Sequence, residues 1–229
     1  MIFITGDTHG NIDINKLNSK KFPDQKNLTK SDFVIVAGDF GLVWDKSKEC
    51  KYWVKWLSEK NFTTLFIDGN HENFNLINSY EVQNWKGGKV HKISESIMHL
   101  MRGQVFSIDD LKFFTFGGAK SSDKEYRTEN VSWWKEEMPN KEEYDEGIRN
   151  LELNSWTVDY IVTHTCPVEV QNILIEKFNK SLEITDLNEY LSKVNTKVDY
   201  KHWYFGHNHL DEELTERHTI LYNKIIRIQ

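Results

Sequence analysis

Ile2-Phe3-Ile4-Thr5-Gly6-Asp7-Thr8-His9-Gly10 sets a short apolar run directly before a glycine-opened polar cluster. Ile2 to Ile4 reads as a strand and the rest as its exit loop. The same order returns twice, in Phe33-Val34-Ile35-Val36-Ala37 followed by Gly38-Asp39-Phe40-Gly41, and in Thr64-Leu65-Phe66-Ile67 followed by Gly69-Asn70-His71-Glu72. Uninterrupted apolar runs of this length suit strands covered on both faces, as parallel sheets are. Between the second and third runs lies Ser47 to Lys60, where Cys50, Trp53, Val54 and Leu57 recur at helical spacing. The first half is therefore expected to be a β-α-β-α-β unit of an α/β fold with right-handed crossovers.

Further along, Gln104–Ile108 and Leu111–Phe116 flank Asp109-Asp110 and predict a hairpin. Helices are expected over Glu142–Trp156, Val168–Lys177 and Leu182–Val194, and strands over Tyr160–Val162, His202–Phe205 and Thr219–Ile228. Lys120–Asn140 is polar but carries Trp133-Trp134, which predicts a long functional or packing loop rather than a linker. No composition shift or repeat divides the 229 residues, so a single domain over 1–229 is expected.

Composition narrows the functional classes. The formal charge of -6 and the absence of a basic stripe argue against nucleic acid and anionic membranes as partners. Cys50 and Cys166 are far apart and lack C-x-x-C spacing, which fits a reducing compartment rather than a disulfide framework or zinc ribbon. With no signal segment or membrane span, a cytoplasmic location is expected. Nothing in the sequence bears on oligomeric partners.

The chemistry lies at the strand exits. After Tyr160–Val162 comes Thr163-His164-Thr165, and after Phe205 comes Gly206-His207-Asn208-His209, so five strands end in metal-ligand residue types. Ligands of open α/β sheets gather at the carboxyl ends of parallel strands, which would bring the five clusters together. Asp7, His9, Asp39, Asn70, His164, His207 and His209 form an oxygen and nitrogen donor set suited to Mn, Fe, Zn or Ni, with Mn first. One hydrolytic metal rarely uses more than four protein ligands, so seven donors imply a pair of divalent ions. Such a pair attracts a phosphate ester even to an acidic chain.

These blocks, G-D-x-H-G, G-D-x-x, G-N-H-E, a lone His and G-H-x-H, stand in that order from Gly6 to His209. The chain resembles the calcineurin-like metallophosphoesterases. The resemblance implies a four-layer α/β/β/α sandwich of two mixed sheets flanked by helices. It also implies one metal on Asp7, His9 and His209, a second on Asn70, His164 and His207, and Asp39 bridging them. A metal-bridging hydroxide would attack phosphorus, and His71 would be the general acid. The second block here, Gly38-Asp39-Phe40-Gly41-Leu42-Val43-Trp44, lacks the extra acid and arginine of the protein serine/threonine phosphatases of that family. Another group must then grip phosphate, and Arg127 is the candidate, because guanidinium pairs with phosphate bidentately.

Competing mechanisms fail on residues. A C-x5-R phosphatase loop would need Arg where Trp56 and Asn172 stand, and no G-x-S-x-G or Walker segment is present. His91, His99, His202 and His218 lack the glycine context and read as surface or satisfied core histidines. The expected function is dinuclear metal-dependent hydrolysis of phosphomonoesters or phosphodiesters. The alternative is a catalytically silent scaffold or binding protein on the same fold.

Overall fold

The computed structural model describes residues 1–229. In chain order the elements are β1 (Ile2–Thr5), β2 (Phe33–Val36), α1 (Lys48–Ser58), β3 (Thr63–Phe66), α2 (Phe74–Ile77), β4 (Val82–Trp85), β5 (Gly88–Ser94) and β6 (Ile97–Leu100). There follow β7 (Gln104–Ile108), β8 (Leu111–Phe116), α3 (Lys141–Leu153), β9 (Tyr160–Thr163), α4 (Val168–Phe178) and α5 (Asp186–Lys197). Finally come β10 (His202–Phe205), β11 (Glu212–Thr215), β12 (His218–Ile220) and β13 (Ile225–Arg227). The strands form a seven-stranded sheet in the order β13-β1-β2-β3-β6-β5-β4 and a six-stranded sheet in the order β11-β12-β10-β9-β8-β7. Both are mixed: β1, β2, β3 and β6 run parallel in the first, and β8, β9, β10 and β12 in the second.

The period-2 alternation of side chains sorts the core into layers. Ile4, Ile35 and Leu65 point between the sheets and meet Phe106, Phe113, Val162 and Tyr204 of the other sheet. Their neighbours Phe3, Val34, Val36 and Phe66 point the opposite way, onto Leu57 of α1. On the far side Phe114, Phe116, Ile161 and Trp203 meet Leu151, Leu174 and Leu191 of α3, α4 and α5. The result is the helix, sheet, sheet, helix order that the resemblance implied.

The structure departs from the sequence expectations at several elements. Thr219–Ile228 is not one strand: β12 belongs to the second sheet and β13 returns to the first, beside β1. The break at Tyr222–Lys224 is made by Asp211, whose carboxylate accepts the backbone N–H groups of Tyr222, Asn223 and Lys224 at 2.8, 3.0 and 2.9 Å. α5 begins at Asp186 rather than Leu182, because Thr185 and Asn188 form a capping box there. α3 stops at Leu153, and Ser155 and Trp156 turn left-handed at φ 56° and 55°. β4 was not expected, since its mostly exposed residues show no apolar alternation. The Asp109-Asp110 hairpin holds, with φ of 49° and 65°, as a type I′ turn requires.

Arg102, between β6 and β7, ties these layers together near the strand exits. Its buried guanidinium donates to Asp68 Oδ2 through Nε at 2.8 Å, to Glu143 Oε2 at 3.2 Å and to the Glu136 carbonyl at 2.8 Å. His99 Nε2 lies 3.1 Å from the other Asp68 oxygen. Burial works against the Asp68 charge, but Arg102 and His99 outweigh it and hold the carboxyl far below its ordinary range. Arg102→Ala strands that carboxylate without its cation, and urea denaturation should show a loss of about 3–5 kcal/mol. A loss within about 0.5 kcal/mol, typical of a surface position, would contradict this role.

Candidate metal centre

The exits of β1, β2 and β3 in one sheet and of β9 and β10 in the other lie along adjoining edges, where the polar clusters meet. Asp7 Oδ2 lies 3.3 Å from His209 Nε2 and 3.9 Å from His9 Nε2. Asp39 reaches His9 Nε2 with Oδ2 and His164 Nε2 with Oδ1, both at 3.3 Å. Asn70 Oδ1 lies 3.3 Å from His164 Nε2, and the His207 ring packs on His164 with centroids 5.0 Å apart. Three overlapping groups have ligand atoms within 4.8 Å of one another: Asp7, His9 and His209; His9, Asp39 and His71; and Asp7, Asp39 and His164. They are consistent with two clustered metal-ligand sites, and Asp7, His9 and Asp39 each belong to two of the groups.

Local backbone geometry explains the glycine-opened motifs. A Cβ on Gly38, whose φ is 94°, would fall 2.0 Å from His164 Nδ1, and one on Gly206 would fall 2.2 Å from Asp7 Oδ1. The space of a side chain is thus taken by a donor from another strand. Four donors are themselves left-handed: His9, Asp39, His207 and His209, with φ of 42°, 45°, 71° and 52°. Non-glycine residues pay for this conformation and keep it only where neighbours over-determine it. Here Thr8 and His9 N–H both donate to the Asp39 carbonyl, and buried Glu72 accepts Phe40 N–H at 2.6 Å and Gly41 N–H at 3.1 Å.

Electrostatics show what the pocket lacks. Asp7 and Asp39 are 0% and 1% exposed, and Asp7 Oδ2 has no hydrogen-bond partner. A buried carboxylate oxygen without a donor is costly, and a cation satisfies it. Burial opposes the charge of Asp39, but His164, His9 and His71 hold its carboxyl well below the ordinary range. Burial likewise opposes the His164 imidazolium, yet Asp39 and Asp7 outweigh it and lift its pKa to about 10. Burial and the charge of His164 push the His207 pKa down to about 4, which favours its neutral imidazole near pH 7. The donor set fits divalent cations.

Of the seven residues singled out in the sequence, Asp7, His9, Asp39, His164 and His209 fall in these groups, and Asn70 and His207 lie against His164. His71 stands at the mouth, its Nε2 4.0 Å from Asp39 Oδ2 and its N–H donating to Asp39 Oδ1 at 2.7 Å. Burial, and less strongly the charge of Arg127, depress its pKa against the pull of Asp39. Arg127 does reach the site, with a terminal nitrogen 3.5 Å from His71 Nε2. It is also an ion pair, donating to Asp123 at 2.8 and 2.7 Å and to the Ser132 carbonyl at 3.0 Å. His91, His99, His202 and His218 are satisfied within the protein. The sequence reading missed Asp13, which lies 2.8 Å from His9 Nδ1 and accepts the Tyr222 hydroxyl at 3.0 Å. That pair fixes the tautomer presenting His9 Nε2 to the centre. Its position four residues after His9 was a usable signal; Tyr222 left none.

Among known proteins, the family model described as calcineurin-like phosphoesterase matches residues 1–211. No curated protein matches the sequence.

Because Asp39 and Asp7 raise the His164 pKa to about 10, a metal ion taking Nε2 near neutral pH displaces a proton. Mn²⁺ titrations at neutral pH, in buffers of different ionisation enthalpy, should show at least one proton released per chain. Affinity should weaken steadily as pH falls. Binding with no proton release would contradict the assignment of His164 as a ligand.

Proposed function

The chain belongs to the calcineurin-like phosphoesterases, and from that premise we propose that it hydrolyses phosphomonoesters or phosphodiesters. Two divalent cations, Mn first and Fe, Zn or Ni in its place, would be held by Asp7, His9 and His209 on one side and by Asn70, His164 and His207 on the other. Asp39 would serve both. The observation that carries this reading is the clustering of His and Asp side chains around two buried carboxylates, with Asp7 Oδ2 unpartnered. Bound there, a cation pair supplies Lewis acidity to the phosphoryl oxygens and a water made nucleophilic near neutral pH.

The protein's own groups handle the rest. His71 faces a cleft of about 480 Å³ that also takes in Arg127, Trp44, Trp53 and Ile12. A leaving group seated in that cleft puts its oxygen beside His71 Nε2, from which it takes a proton. The guanidinium of Arg127, fixed by Asp123 and Ser132, retains N–H capacity for a phosphoryl oxygen. Its charge beside His71 also makes that imidazolium a stronger acid.

On the far side a polar groove of about 590 Å³ runs past His207 and His209 between Lys120 and Lys180. The net charge of -6 weighs against nucleic acid as substrate. No helix is long and apolar enough to cross a membrane. The unpaired thiols of Cys50 and Cys166 support a reducing, cytoplasmic setting. The pairing of β13 with β1 supports reading 1–229 as one unit, since it draws residues beyond the family match into the first sheet.

With Mn²⁺ supplied, the protein should turn over p-nitrophenyl phosphate or bis-p-nitrophenyl phosphate. His71→Ala should lower kcat by about 10²–10⁴-fold while metal content stays at the wild-type level. Two bound ions without turnover on either ester, with each of the four metals, would favour the silent scaffold. Arg127→Ala should act mainly on KM, raising it about tenfold, the scale of one charge-assisted hydrogen bond. An unchanged KM would remove Arg127 from substrate binding.

A further inference from the structure

Resting on the reading of Asn70 as a metal ligand, we infer that Ser121 and Glu137 are positioning residues that decide which end of the Asn70 amide faces the metal centre. An amide ligates a cation through oxygen, and its NH₂ end cannot. The two ends are almost the same size, so packing alone does not choose between them. Hydrogen bonding does.

Asn70, Ser121 and Glu137 are 4%, 3% and 1% exposed, so water does not intervene freely. Glu137 Oε1 accepts the Ser121 backbone N–H at 3.0 Å, and Oε2 accepts the Ser121 hydroxyl. That hydroxyl has one proton, and it is committed to the carboxylate. Toward Asn70 the Ser121 oxygen can therefore only accept, and Asn70 Nδ2 donates to it at 3.1 Å. Oδ1 is left pointing to the other side, 3.3 Å from His164 Nε2, where a ligand oxygen is required.

The same contacts give the 117–140 segment a purpose. Trp134 is 2% exposed and packs edge-on against Trp44 at 5.3 Å, while Arg102 donates to the carbonyls of Glu136 and Glu137 at 2.8 and 3.3 Å. The short turn carrying Glu137 is thereby held against the exit of β3. The tryptophan pair is an anchor for this relay.

Changing Glu137 to glutamine keeps the shape and reverses the polarity. The glutamine amide can still accept the Ser121 N–H, but it now donates to the Ser121 oxygen, freeing the hydroxyl proton to draw in the Asn70 oxygen. Mn²⁺ binding to the full chain, followed by metal stoichiometry and by the electron paramagnetic resonance signal of a coupled Mn pair, reads the outcome without any turnover. Wild type should bind the pair. Ser121→Ala and Glu137→Gln should each weaken one of the two ions by about 10–100-fold and lose the coupled signal.

Asp at position 70 has no wrong end, so in an Asn70→Asp background Glu137→Gln should cost less than about threefold; the cycle isolates the coupling. Wild-type affinity for both ions in Ser121→Ala and Glu137→Gln would overturn the inference. An equal loss from Glu137→Gln in both backgrounds would overturn it too, by marking the effect as one of charge. If Glu137→Gln does not fold, the uncharged Ser121→Ala decides alone. Wild type failing to bind two ions would instead defeat the metal-centre reading beneath it.

Discussion

Two carboxylates, Asp7 and Asp39, are buried almost completely at the edge where two sheets adjoin, and the rest of the site is arranged around their charge. Burying like charges together is among the most expensive things a fold can do unless cations share the pocket. His9 from the turn of Asp7 itself and histidines from three other turns crowd onto them, and still Asp7 Oδ2 has no hydrogen-bond partner. A purely structural cluster would be expected to satisfy that oxygen with an N–H or a water-accessible path. The deficit is positive charge, and the ring of O and N donors shows where that charge belongs.

Holding such a pocket ready requires a stiff frame. The sheets supply it through parallel strands buried on both faces, so that each exit loop leaves from a fixed point. The loops then take conformations that side chains avoid, with His9, Asp39, His207 and His209 all left-handed. Two of them are secured from outside: the Asp39 carbonyl by Thr8 and His9, the turn after it by Glu72, and His9 by Asp13, itself held by Tyr222. Arg102 performs the same service at a larger scale, tying Asp68, α3 and the Glu137 turn into one block beside the site. Preorganisation of this kind is what lets ligands meet a cation without a further ordering cost.

The parts legible in the sequence are those written in local pattern. β1, β2 and β3 announce themselves as apolar runs, the glycine-opened clusters mark their exits, and Asp109-Asp110 marks its hairpin. Seven donors could be named because residue type and strand-end position are both local properties. What escaped depends on residues distant in sequence. The chain turns at Tyr222 because Asp211 reaches across to three N–H groups, and no glycine or proline signals it. β4 pairs along an exposed edge where no hydrophobic period is needed. Ser121 meets Asn70 across 51 positions and Glu137 meets Ser121 across 16, with no spacing to betray the contacts. Arg127 was legible by its chemistry and the 117–140 segment by its length, while the partners of both came only from the folded chain.

The claim at the centre of this account is that Asp39 stands between two cation sites, each drawing residues from both sheets. Crystals grown with Mn²⁺ and measured at the manganese absorption edge test it most directly. The account predicts two anomalous peaks flanking the Asp39 carboxylate, one beside Asp7, His9 and His209 and the other beside Asn70, His164 and His207. A single peak, or peaks away from these side chains at saturating metal, would contradict it.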